Sequence, residues 1–142
     1  MKKRMRKLMC LALVCLMTVF MVVPAMAESR NGTGVYGQYN YSWSLTRAST
    51  SGTANMVATT VPVTVGAAVQ NYIVDEIGQS GYAYSTNSSE NGMVPVQGYV
   101  TVNVTAGNRF KTSSGAYSTG TVKTTHGYYY INSTRIGTKS VL

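Results

Sequence analysis

The chain has 142 residues, and Lys and Arg outnumber Asp and Glu by 12 to 4. Its first 27 residues read as a removable export signal holding five of those basic residues and both cysteines, which leaves 115 residues, about one domain. That remainder has no cysteine, one histidine (His126) and four carboxylates (Glu28, Asp75, Glu76, Glu90), which excludes disulfide scaffolds and thiolate metal sites and leaves little for acid–base chemistry.

Lys2, Lys3, Arg4, Arg6 and Lys7 form a positive n-region, and Leu8 to Val23 is an apolar run. Pro24 ends it, and Ala25 and Ala27 supply the small residues of a cleavage site, so cutting is expected before Glu28. The apolar run is shorter than the roughly 20 residues of a spanning helix. The expectation is a secreted, extracellular product with no membrane span after cleavage.

From Val35 to Leu45, the residues Val35, Gly37, Tyr39, Tyr41, Trp43 and Leu45 alternate with polar neighbours, which predicts one half-buried strand. The parity makes Trp43 the expected centre of the core. Thr53 to Thr60 is a weaker strand. Val61 to Val74 carries Val61, Val63 and Val65 in alternation, with Pro62 tolerable near an edge. Val65, Val69, Ile73 and Ile77 also fit a helix stripe, but the Val, Ile and Tyr content favours strand. Asp75 to Gly78 reads as a turn into a short strand, Gly81 to Ser85, and Thr86 to Gly92 as a polar loop.

Val94 to Val104 alternates again and predicts a strand. Near the end, His126-Gly127 reads as a two-residue turn, with Val122 facing Ile131 inward. Lys123 would then pair with Tyr130 on the outer face, and Tyr128 and Tyr130 would flank Lys123. About seven short strands and no convincing helix predict an all-β fold, a two-sheet antiparallel sandwich of immunoglobulin-like type spanning 28–142.

Chemistry is sparse. No Gly-x-Ser-x-Gly elbow is present, and His126 is the one histidine available to a Ser–His–Asp arrangement. No zinc spacing occurs, and the loops around Asp75-Glu76 and Asn87 to Asn91 lack the acidic density of a calcium site. The expectation is a protein that is no enzyme and uses no cofactor or metal. Lys123, Tyr128 and Tyr130 are the candidate surface-binding residues, because tyrosine offers a ring and a hydroxyl together. Positive charge gathers after residue 106, in Arg109, Lys111, Lys123, Arg135 and Lys139 with no acid among them, which suits an anionic envelope surface. The expected partner is a protein, a glycan or another cell-envelope ligand; no nucleic-acid motif is present. Exposed strand edges offer a route to self-association.

The signal ending Ala25-Met-Ala27, the early Val35-Tyr-Gly-Gln-Tyr39 and the mid-chain Gly98-Tyr-Val-Thr-Val-Asn-Val104 together resemble a diffuse group of small secreted proteins of Gram-positive anaerobes, chiefly gut Clostridia. That resemblance implies a secreted β-sandwich and supplies no activity and no site residues. The Gly- and Tyr-rich stretch Glu28 to Trp43 is also similar in style to lactococcin-type bacteriocins. It implies an antimicrobial or competition factor acting at the cell envelope.

Overall fold

The computed structural model describes residues 27–59, 63–90 and 99–142. Ten strands run through them: β1 (Glu28–Tyr36), β2 (Tyr39–Arg47), β3 (Gly52–Ala58), β4 (Thr64–Val74), β5 (Ser80–Glu90), β6 (Val100–Ala106), β7 (Arg109–Lys111), β8 (Tyr117–Thr119), β9 (Thr121–Ile131) and β10 (Thr134–Val141). No helix occurs among the described residues. Two antiparallel four-stranded sheets, in the orders β1-β2-β3-β6 and β10-β9-β4-β5, pack face to face, and β7-β8 forms a small third sheet. The expected all-β sandwich is what the chain forms.

The turns follow from local chemistry. Gly37 adopts φ 59° at the first central position of the β1–β2 hairpin, where a two-residue turn of type II′ needs a residue free to take positive φ. The predicted single strand Val35 to Leu45 is therefore two strands. Period two carries straight through a two-residue turn, so alternation alone does not reveal the reversal. At the other hairpin, Asn132 and Ser133 take φ 49° and 65°, the two positive values of a type I′ turn. The predicted turn at His126-Gly127 lies instead in the middle of β9, where Gly127 pairs with Val69 and Lys139.

Val122 and Ile131 do face inward, both fully buried, but not opposite each other. They pair with Ile73 and Val65 of β4, and a bulge at Lys123 shifts the register between them. The extra residue lets even-numbered Val122 and odd-numbered Thr125, Tyr129 and Ile131 share one face.

The 61–74 segment resolves to strand from Thr64, with Asp75 opening the turn as expected. The predicted loop at Thr86 continues β5 to Glu90 instead. Its last two residues, with Val61, Pro62 and Val94 to Gly98, lie outside the described residues, as does the export signal up to Met26.

The core is aliphatic and small. Leu45, Ala54, Met56, Val65, Ala67, Val69, Val102, Val104, Tyr129 and Ile131 fill the space between the sheets. Ile73, Phe110 and Val122 make a second cluster where β7-β8 closes one end. Trp43 is not the centre. It is half-buried at the rim, tilted against Tyr129 at 5.8 Å, with Lys139 Nζ 5.0 Å above its ring. Tyr129 is the largest fully buried side chain, and its hydroxyl donates to the Ser44 carbonyl at 2.6 Å.

Candidate functional site

Antiparallel pairing puts directly opposed residues on the same face of a sheet, so the register defines rows of side chains across it. On the outer face of the first sheet, one row reads Ser29, Thr46, Thr53, Thr105 and the next Asn31, Ser44, Asn55, Asn103. The third reads Thr33, Ser42, Val57, Thr101. Every position but Val57 is a short hydroxyl or amide, and none is charged. Ser29 and Thr46 share a hydrogen bond at 3.0 Å, as do Thr53 and Thr105 at 3.3 Å.

The outer face of the second sheet is of another character. Its rows read Tyr82, Tyr72, Thr124; then Tyr84, Gln70, His126, Ser140; then Thr86, Ala68, Tyr128, Thr138; then Ser88, Gly66, Tyr130, Arg135. Five tyrosines gather here on three strands. Tyr82 and Tyr84 are each 60% exposed, whereas Tyr72, Tyr128 and Tyr130 are half-buried against their neighbours. The Tyr72 and Tyr82 rings lie 5.5 Å apart, and the Tyr128 hydroxyl donates to Gln70 Oε1 at 3.3 Å. Small residues on β4 allow the rings of β9 to settle: a Cβ on Gly66 would stand 3.3 Å from that of Tyr130, and Ala68, opposite Tyr128, is fully buried.

Of the residues singled out by sequence, Tyr128 and Tyr130 stand on this face. Lys123 does not join them. It lies on the same strand as Tyr130, seven residues away, so the expected cross-strand pair does not form. Lys123 lines a separate open cleft of about 650 Å³ with Asp75, Glu76, Ile77 and Ser118. In that cleft Asp75 is a turn residue. Its Oδ1 accepts from the Ile77 and Gln79 amides at 3.1 and 2.8 Å, and its Oδ2 from the Ser118 hydroxyl at 3.1 Å.

Tyr72, Tyr82 and Tyr84 escaped the sequence reading because they meet only through β4, which pairs with β5 and with the distant β9. The alternation Tyr82-Ala83-Tyr84 was the available signal. His126, read as a turn residue, stands in the second row with Nδ1 2.7 Å from Ser140 Oγ. No carboxylate shares that row. Ala27 and Glu28 of the expected cleavage site are described, and Ala25 is not. Glu28 opens β1 and lies 3.5 Å from Arg47 in an ion pair. Among the described residues no group of three metal-ligating side chains occurs, and no helix is long and apolar enough to cross a membrane.

No family model matches the chain, and no curated protein matches it in sequence. Among solved structures it is similar to the KRT10-binding region domain of the pneumococcal serine rich repeat protein PsrP, with 18% identity and a TM-score of 0.35 over 78% of this chain and 87% of that one.

Proposed function

We propose that the chain is exported, is cut before Glu28, and works outside the cell as a non-catalytic binding protein whose contact surface is the tyrosine face of the second sheet. The observation that carries this reading is the division of aromatic residues between the two outer faces. One face sets Ser, Thr and Asn in three rows, with Val57 among them and Val35 in the row beyond; the other sets five tyrosines around Gln70 and His126. Tyrosine supplies large, rigid contact area at low entropic cost and ends in a hydrogen-bonding group, which suits it to recognition surfaces. The position of His126 beside Ser140, with no acid in its row, supports a binding role over a hydrolytic one.

The test is to express the full chain with residues 1–27 in place and recover the product from the medium. Its first residue by mass spectrometry is expected to be Glu28, and the labelled product is expected to stay on bacterial envelopes. Tyr84→Ser combined with Tyr128→Ser should abolish that retention without altering the far-ultraviolet spectrum. Undiminished retention by the double variant would assign binding to another surface.

A second reading, a bacteriocin-like competition factor, is favoured by the β7-β8 hairpin. Arg109 and Lys111 both point outward there, and Arg109 lies 4.2 Å over the ring of the exposed Tyr117. It predicts growth inhibition of related bacteria that Arg109→Ala and Lys111→Ala weaken.

A further inference from the structure

We infer that the tyrosine face is a track for a linear glycan. This deepens the binding role proposed above and rests on it. Three features of the face select the ligand.

The first is the kind of apolar surface offered. Apart from the imidazole of His126, every aromatic ring in the four rows is a tyrosine, and no Leu, Ile, Met, Phe or Trp stands among them. A protein partner is usually gripped by a central patch that excludes water entirely. Here each ring ends in a hydroxyl and lies beside hydroxyl and amide neighbours. A pyranose ring has the matching design, with an apolar C–H face to lie on the ring and hydroxyls around its edge to meet the polar groups.

The second is the path of the rings. The pair Tyr72 and Tyr82 occupies one row, Tyr84 the next, Tyr128 the third and Tyr130 the fourth, so the rings cross the sheet diagonally from β5 to β9. Successive rows are two residues apart, and three steps span about 20 Å. That is a line, suited to an extended chain of sugars rather than to one sugar or a compact group.

The third is charge. None of these rows contains a carboxylate; Arg135, paired with Tyr130, stands at one end of the path, and Glu90 stands in the next row beyond it, on β5. The path itself therefore suits a neutral chain, with one charge of each sign at its end.

The experiment uses the secreted product with two probes: whole cells, and peptidoglycan sacculi stripped of protein and accessory polymers. Both should retain it. Tyr84→Ala and Tyr128→Ala should each weaken binding to sacculi by about tenfold or more, and soluble chitohexaose should compete. Tyr84→Phe should keep much of the affinity. Tyr84→Leu, which preserves apolar area but removes the ring, should lose as much as the alanine variant, whereas a protein partner would tolerate it. Retention on cells that protease treatment removes, with none on sacculi, would overturn the glycan while leaving the tyrosine face as the binding surface. Retention that no tyrosine variant alters would overturn both.

Discussion

Thr125 donates its hydroxyl to Asn71 Oδ1 across 2.8 Å, and both side chains are fully buried between the sheets. The Asn71 amide donates in turn to the carbonyls of Ala106 and Gly107, at 2.8 and 3.0 Å. One buried side chain thus ties β4 and β9 of one sheet to the end of β6 in the other. Gly52 of β3 is what leaves room, since a Cβ there would collide with Asn71 Oδ1 and with the Thr125 side chain. In a core held by no disulfide, this clip fixes how the two sheets are set against each other.

Removing part of the clip should cost more than its volume suggests. Thr125→Val keeps the shape but takes away the donor to Oδ1, and the expected loss is about 1–3 kcal/mol. Gly52→Ala should be at least as damaging, because the new methyl has nowhere to go. Both effects are read as a lower denaturation midpoint with an unchanged slope.

The sandwich itself was legible because its inner faces are built on plain alternation. Val100, Val102 and Val104 announce β6, whereas Val65, Val69 and Ile73 also fit a helix stripe and only the Val, Ile and Tyr content marks β4 as strand. Asn71 continues the β4 parity but is polar, and a reading based on apolar residues passes over it. The same reading took Trp43 for the centre of the core. Parity was right about its face but is silent on distance from an edge, and β2 has only β1 beyond it.

That edge gives a second test. Gly32 pairs with Trp43, and the indole lies over the glycine so closely that a Cβ would stand 2.8 Å from Nε1. Gly34 is covered in the same way by the ring of its own partner, Tyr41. The rings shield an edge strand that brings no buried side chain of its own. Gly32→Val should push the indole into solvent, shift its fluorescence to the red and cost about 1–3 kcal/mol. With a single tryptophan in the chain, the signal is unambiguous.

The tyrosine face was half legible: Tyr72, Tyr82 and Tyr84 join it only through the pairing of β4, and the bulge at Lys123 explains why Lys123 does not stand beside Tyr130. A turn at His126-Gly127 satisfied both the inward facing of Val122 and Ile131 and the φ preference of glycine, so nothing local argued against it. Only the pairing of β9 with β4, some fifty residues upstream, separates a bulge from a turn. Lys123→Ala, at an exposed position, should change stability by no more than about 0.5 kcal/mol. Deleting Lys123 leaves Val122, Thr124 and Thr125 in regular alternation against Ile73, Tyr72 and Asn71, so the fold should survive with its facings unchanged and lose only the local bend. Circular dichroism checks both variants, and a sheet spectrum lost in the deletion variant alone would mean that the fold needs the extra residue.

The last test concerns Tyr129. Burial in the core pushes its phenol pKa well above the usual value near 10. The folded state therefore holds this proton at pH values where the unfolded chain has released it, and stability must fall as pH rises. The contribution is whole below about pH 10 and is lost progressively above it. Guanidinium titrations from pH 8 to 11.5 should show a midpoint that is flat at first and then declines. Tyr129→Phe should remove the part of that decline that comes from this phenol. It should also lose about 1 kcal/mol at neutral pH, because the 2.6 Å bond to the Ser44 carbonyl goes with the hydroxyl. A decline as steep in the Phe variant as in the parent would mean that the alkaline sensitivity arises at other tyrosines and that the proton on Tyr129 is not what the core protects.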